Sequence, residues 1–330
     1  MSTVANVRIH ASQFPAAARE DLLRSLRTRQ VNHKFHYDSL KQTQKWLALH
    51  QAYSPSRADE DCIAIYERSF EAAVDGIKTP AVHLVGLGCG GGQKDTRLLR
   101  RLGERDKKIT YTPSDVSVAM VLVARAAALS AIEARDCHPL VCDLAAADDL
   151  ANFLGEYPEP AAARLVTFFG MIPNFEPQMI LPRLAGLLRA GDFLLFSANL
   201  APGIDYAAGV RQILPLYDNR LTRDWLMTFL VDLGVEVSDG ELRFGIEDDP
   251  AGSGLKRVAA HFHFARSRRV EVDTEAFEFR AGESVRLFFS YRHTPEKVRA
   301  LLEPHGLSVL QQWIAKSEEE GVFLCQARRR

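Results

Sequence analysis

Apolar residues recur along this chain with two different periods, and the period changes at two places. Over roughly the first 80 residues the spacing is helical. Ala17, Leu22, Leu23 and Leu26 fall on one face of a segment covering residues 16–30. Further helices are expected over 39–51 and 58–75, and Tyr53-Ser54-Pro55-Ser56-Arg57 between them reads as a turn by its Ser and Pro content. At Ala81 the pattern changes to a short apolar run, Val82-His83-Leu84-Val85-Gly86-Leu87, that ends in glycines. Strand and helix signals then alternate: helix at 94–102, strand at 109–114, helix at 118–131, strand at 139–142, helix at 146–154, strand at 165–169, helix at 177–189 and strand at 193–198. Such alternation predicts a parallel sheet covered by helices on both faces.

After Leu200 the signal shifts again. Residues 206–233 are mostly helical in pattern, and 257–265, 270–272, 277–279 and 284–291 are strand-like. A helix at 295–302 opens with Pro295, a residue favoured at a first helical position. Residues 307–314 and 321–327 form an expected antiparallel pair. No internal repeat or low-complexity stretch interrupts the pattern.

A chain of 330 residues fits one large α/β domain plus a second lobe. With 41 basic and 42 acidic residues the formal charge is -1, which gives no electrostatic reason to expect nucleic acid or an anionic membrane as partner. The five cysteines, Cys62, Cys89, Cys137, Cys142 and Cys325, are scattered and odd in number, so neither a disulfide framework nor a zinc site is expected. Residues 1–14 carry no long apolar run, so no signal peptide is expected and a cytoplasmic location is the default. Arg328-Arg329-Arg330 reads as a solvated tail.

The chemistry concentrates first at Gly86-Leu87-Gly88-Cys89-Gly90-Gly91-Gly92, after a strand and before a helix. Glycines there let the backbone turn sharply and approach a ligand, and the helix N-terminus behind them favours a carboxylate or phosphate. Two ligand classes use this geometry: a dinucleotide, through its pyrophosphate, and S-adenosylmethionine (SAM), through its methionine carboxylate and ribose. The spacing of Gly86, Gly88 and Gly91 matches G-x-G-x-x-G, which does not separate the two. Asp115, at the tip of the next strand, can accept both ribose hydroxyls or cap the following helix. Asp143 closes the strand after that; it can take an adenine amino group while Leu144 covers the ring, or it can cap a helix.

Four further stretches, in order around this loop, carry a family resemblance: His36-Tyr37-Asp38-Ser39, Ala52-Tyr53-Ser54-Pro55-Ser56-Arg57, Phe168-Phe169-Gly170-Met171-Ile172-Pro173-Asn174-Phe175, and Arg286-Leu287-Phe288-Phe289-Ser290-Tyr291. They resemble the Tyr-Asp motif, the Tyr-x-Pro-Thr-Arg turn, the Gly…Asn motif and the late Ser-Tyr strand of the histidine Nα-methyltransferases of ergothioneine biosynthesis and their fungal relatives acting on tryptophan-derived amines. The resemblance covers most of the chain. It implies a Rossmann-like α/β class I methyltransferase sheet with a second substrate-binding lobe. The implied division is an N-terminal helical part of that lobe at 1–57, the SAM-binding domain at 58–200, an insertion completing the lobe at 201–291, and a return to the methyltransferase domain at 292–330.

Carried across residue by residue, the resemblance implies that Tyr53, Asn174 and Tyr217 hold the amine and carboxylate of an amino acid, with Tyr37 lining the same pocket and Tyr37 and Asn174 as catalytic candidates. Phe288 and Ser290 fall in the side-chain pocket. Gly86, Gly88, Gly90, Lys94, Asp115, Asp143 and Leu144 fall to the cofactor, Lys94 through the methionine carboxylate.

Three departures qualify this. The family's histidine-directed members carry an acid two positions before the late Ser, where it binds imidazole; here that residue is Phe288. The Arg-Gly-Ser after the Tyr-Asp motif is replaced by Ser39-Leu40-Lys41-Gln42, and the usual acid before the glycine loop is Gly86. With Phe288 and Trp46 in the pocket, an aromatic or apolar amino acid is expected in place of histidine; the alternative is that Phe288 only faces the core of its strand.

Methyl transfer from a sulfonium is an in-line displacement by a neutral amine, served chiefly by alignment and exclusion of water. An Asn suits the amine, because its side-chain oxygen accepts an N–H and leaves the nitrogen lone pair available. Tyrosines suit a carboxylate through the O–H and a methylated ammonium through the ring face. No dedicated base is evident. No metal is expected, since His261 and His263 share a strand face without a third ligand nearby in sequence. The competing classes are a non-catalytic or regulatory SAM-binding protein of the same fold and a nicotinamide-dependent oxidoreductase.

Overall fold

The computed structural model describes residues 4–156 and 162–328, so Arg329 and Arg330 of the expected tail lie outside the described residues. In chain order the elements are β1 (Arg8–Ile9), α1 (Pro15–Thr28), α2 (Leu40–Tyr53), α3 (Pro55–Ala58), α4 (Glu60–Gly76), β2 (Ala81–Leu87), α5 (Gln93–Gly103), β3 (Lys108–Asp115), α6 (Val118–Ala128), β4 (Leu140–Val141), α7 (Leu150–Gly155), β5 (Ala163–Phe168), α8 (Pro177–Gly186) and β6 (Phe193–Asn199). Then follow α9 (Tyr206–Tyr217), α10 (Arg220–Asp232), β7 (Gly240–Asp248), β8 (Lys256–Phe264), β9 (Arg268–Val272), β10 (Glu275–Phe279), β11 (Ser284–Arg292), α11 (Pro295–Leu302), β12 (Leu307–Ile314) and β13 (Glu320–Ala327). The chain divides into two compact units. Unit one takes the described residues of 1–13, 55–200 and 294–330; unit two takes Phe14–Ser54 and Ala201–His293.

Unit one is built on one mixed sheet in the order β1-β4-β3-β2-β5-β6-β13-β12. The strands from β1 to β6 pair in parallel, and β13 runs antiparallel to both β6 and β12. Every residue of β2 is buried, as a strand covered on both faces requires. Its side chains alternate between two cores. Val85 and Leu87 pack with Phe168 and Phe196; Val82 and Leu84 pack with Ile65, Phe70, Leu98 and Leu99 of α4 and α5. This is the expected Rossmann-like arrangement, and it brings the C-terminal tips of β2, β3, β4 and β5 to one edge.

Unit two combines α1, α2, α9 and α10 with a three-stranded antiparallel sheet, β11-β8-β7, and the hairpin β9-β10. Its core joins Leu23 and Leu26 of α1, Trp225 and Phe229 of α10, and Phe262, Phe264 and Phe279 of the strands. The register of β11 on β8 shifts between Arg286 and Phe288, an irregularity that places Phe288, Ser290 and Arg292 on one face and Phe289 and Tyr291 on the other.

The structure departs from the sequence expectations in three places. The first 80 residues are not wholly helical: β1 pairs in parallel with β4, a strand of two residues that leaves no periodic trace. The Ser- and Pro-rich turn shrinks to an extended break at Ser54, after which Pro55 opens the short helix α3. A strand not expected from the pattern, β7, forms along β8; of its nine residues only Leu242 is buried, so no alternation announces it.

Candidate functional site

In unit one, Gly86 is not part of the turn. It lies inside β2, buried and paired with Pro113 of β3 and Thr167 of β5, so the turn begins at Gly88. Gly88, Gly90 and Gly92 take positive φ values of 62°, 51° and 73°, which only glycine adopts at little cost. A Cβ on Gly88 would stand 2.5 Å from the Met171 sulfur, and one on Gly92 would stand 2.7 Å from the Ala124 Cα in α6. The turn is closed by Cys89 N–H donating to Ser114 O at 2.9 Å and Gly92 N–H to Cys89 O at 2.9 Å.

Asp115, at the tip of β3, accepts the Gly90 N–H at 3.2 Å through Oδ2 and the Ser117 N–H at 3.1 Å through Oδ1. Ser117, not Asp115, caps α6. Burial pushes the Asp115 carboxyl up to about 6, with the Ser117, Gly90 and Val116 amides opposing the shift. Asp143, after β4, is buried and accepts the Ala145 N–H at 2.9 Å, so it does hold a local turn; Leu144 is buried in the core beside it.

Lys94, in the first turn of α5, is half-buried. Its Nζ donates to the Tyr66 hydroxyl at 2.8 Å and stands 4.1 Å from the Tyr66 ring centre. The buried Tyr66 hydroxyl donates in turn to Glu320 of β13. Desolvation lowers the Lys94 pKa, with Glu320 opposing. Asn174 ends a single 3-10 turn, Ile172–Asn174, just beyond β5, and is half-buried. Met171 of the same loop reaches Gly88, so this loop and the glycine turn meet.

In unit two, Phe288 is 7% exposed, with ring centres of His33, Trp225 and Tyr217 at 5.3, 5.9 and 6.0 Å. Tyr37 extends this wall, 5.4 Å from Trp225 and 6.0 Å from Trp46. The Tyr217 hydroxyl donates to Ser290 Oγ at 2.8 Å and accepts from Arg292 at 2.8 Å. Tyr53 ends α2 and is 57% exposed, apart from this cluster.

The structure thus groups Gly88, Gly90, Lys94, Asp115 and Asn174 around adjoining strand tips in unit one, and Tyr37, Tyr217, Phe288 and Ser290 along one aromatic wall in unit two. Sequence reasoning missed Tyr66, Glu320 and Arg292, whose importance arises from whom they touch; it also missed Asp95, buried beneath Gly86.

Bare backbone at a glycine turn, a cation beside it and a strand-tip carboxylate fit a ligand with a carboxylate and paired hydroxyls, as SAM has. Among the described residues no group of three or more His, Cys, Asp or Glu side chains is placed to hold a metal ion; His261 instead meets Glu247 at 2.7 Å. Nor, among the same residues, is any helix long and apolar enough to cross a membrane.

Comparison with known proteins agrees. The chain is 27% identical over 289 residues to the histidine N-alpha-methyltransferase of Mycolicibacterium smegmatis and 29% identical over 294 residues to that of Mycobacterium tuberculosis, in each case over 82% of both chains. A family profile described as histidine-specific methyltransferase, SAM-dependent, matches residues 18–327. The chain therefore belongs to the SAM-dependent, histidine-specific methyltransferase family: it is a methyltransferase with SAM as cofactor and a Rossmann-like class I sheet.

Proposed function

We propose that this enzyme methylates the α-amine of an amino acid whose side chain is aromatic or apolar rather than imidazole. One observation carries the side-chain assignment. Where an acid would be needed to accept an imidazole N–H, the chain places a phenyl ring, Phe288, enclosed by Tyr217, Trp225 and His33. Such a wall favours a ring or aliphatic side chain by contact and dispersion and offers an imidazole no charged acceptor.

SAM, when bound, supplies a methyl group on a positively charged sulfur. The chain's own residues do the rest. Gly88 and Gly90 present backbone to the cofactor, Lys94 pairs with its carboxylate, and Asp115 accepts its ribose hydroxyls. The Asn174 amide oxygen accepts one N–H of the neutral substrate amine and so directs the nitrogen lone pair. When substrate enters, the Tyr217 O–H turns from Ser290 Oγ to the substrate carboxylate, its donor strength raised by the Arg292 N–H on its oxygen. Ring faces at Tyr37 and Tyr217, both half-buried, tolerate the methylated ammonium as it forms.

The test is incubation with methyl-labelled SAM and a panel of amino acids that includes histidine, tryptophan and their derivatives, read by mass. Methylated phenylalanine, tryptophan, leucine or a derivative of these, formed in preference to methylhistidine, is the expected result. A clear preference for histidine overturns the side-chain assignment, and SAM binding without turnover on any amine overturns the catalytic one. Asn174→Ala is expected to lower turnover about 100-fold with SAM affinity unchanged, as befits a residue that only aligns the amine; unchanged turnover removes Asn174 from the site.

A further inference from the structure

The missing acid at position 86 and a buried acid on α5 are one feature. Gly86 faces the α4 and α5 side of the sheet, as Val82 and Leu84 do. A Cβ built on it would lie 2.1 Å from Asp95 Oδ2 and 3.2 Å from the Tyr111 hydroxyl. The carboxylate of Asp95 therefore fills the volume that a side chain at 86 would take.

Asp95 is 3% exposed. Its Oδ2 accepts the Tyr111 hydroxyl of β3 at 2.7 Å and its Oδ1 accepts the Thr167 hydroxyl of β5 at 2.8 Å. It thus spans the two strands that flank β2, directly beneath the turn at Gly88 and in the first turn of the helix that follows. Its hydrogen-bond partners are two neutral hydroxyls; with the Lys94 cation they favour the charged form, but burial outweighs them and raises the carboxyl's pKa. As a cross-link between strands alone, an asparagine would serve as well without that cost. A negative charge kept there, with Lys94 as its existing partner, gains a second when a cation arrives at the turn, and SAM carries two positive centres, its sulfonium and its ammonium.

We propose that Asp95 is a positioning residue for the cofactor, supplying from α5 the buried negative charge beneath the glycine turn that position 86 lacks. It goes beyond the substrate assignment and rests on the reading that the turn at Gly88 and Gly90 receives SAM.

The experiment is calorimetric titration of SAM onto the full chain, with the melting temperature of each unliganded variant measured alongside. Asp95→Asn keeps the shape and removes the charge; SAM affinity is expected to fall roughly tenfold or more, the loss of one charge-assisted contact, while the melting temperature holds or rises. Asp95→Ala is expected to lose affinity likewise, and the double variant Gly86→Asp with Asp95→Ala to recover it to within about threefold of the native value. A purely structural Asp95 moves the melting temperature and leaves affinity alone. Native affinity in Asp95→Asn overturns the proposal, as does a folded double variant that binds no better than Asp95→Ala. Should the double variant not fold, Asp95→Asn decides alone. Asp115→Ala separates the two layers. If it too binds natively, the reading of the turn is wrong; if it loses binding while Asp95→Asn does not, only the role of Asp95 falls.

Discussion

A phenyl ring at position 288 cannot accept a hydrogen bond as a carboxylate does, and its 7% exposure means that any replacement inherits the same dry surroundings. Phe288→Glu is therefore expected to destabilise the fold by about 2 kcal/mol through an under-compensated buried acid. It is also expected to move the ratio of kcat/KM for histidine over phenylalanine at least about tenfold toward histidine, since a pocket that hydrogen-bonds its substrate discriminates sharply. Competition between the two amino acids measures this; an unmoved ratio makes Phe288 a core residue only. Asp115 gives a second residue-scale test. Its carboxyl is pushed up to about 6, so the ionised acceptor is complete above that pH and is lost as pH falls through it. SAM affinity should be flat from pH 7 to 8 and weaken below about pH 6, and Asp115→Asn should remove that dependence. The places of such residues in the fold were legible because type and pattern report them: a glycine-rich turn after a strand, an acid at the next strand tip. Asp95 and Arg292 were not, since one is defined by the space beside Gly86 and the other by the oxygen of Tyr217.

Among the elements, the strand β2, its turn and α5 act as one device, and Gly92 is its tightest point. With φ at 73° and the Ala124 backbone 2.7 Å from where a Cβ would stand, Gly92→Ala meets both backbone strain and a neighbour that cannot rotate away. A loss of at least about 2 kcal/mol in urea unfolding is expected. Gly91→Ala, by contrast, would meet only the flexible side chain of Gln93 at negative φ and should cost under about 1 kcal/mol. Equal losses in the two would show that the turn is looser than this geometry requires. The long helices and buried strands were legible at this scale because their periodicity is produced by burial itself. The edge elements were not. β7 lies outermost in its sheet with a single buried side chain, and β1 owes its place to pairing with β4, a contact more than 100 residues away in sequence.

For the molecule as a whole, acid stability depends on imidazoles kept neutral by burial. His36 in unit two is held down to about 4 and His83 in unit one to about 3, desolvation being the main cause in both. The unfolded chain takes up these protons near the ordinary histidine value and the folded chain does not, so their contribution is complete above about pH 6.5 and falls away as pH drops below it. His36 alone accounts for roughly 3 kcal/mol of that loss by pH 4. Asp115, raised to about 6, works in the opposite direction at pH 4–6 but offsets only one proton. The urea midpoint is expected to fall steadily from pH 7 to pH 5, and an unchanged midpoint would contradict the burial of these rings.

The order β6-β13-β12 has a consequence for how the protein is made. On the ribosome, Phe193–Asn199 is synthesised well before the strand that will lie against its outer side, because the whole of Ala201–His293 comes between. Until then the nascent polypeptide carries a bare, strongly apolar edge with unpaired amides, the kind of surface that recruits other chains. Expression yield should therefore respond to chaperone supply during synthesis, and a translation product stopped before Glu320 should be found in the insoluble fraction.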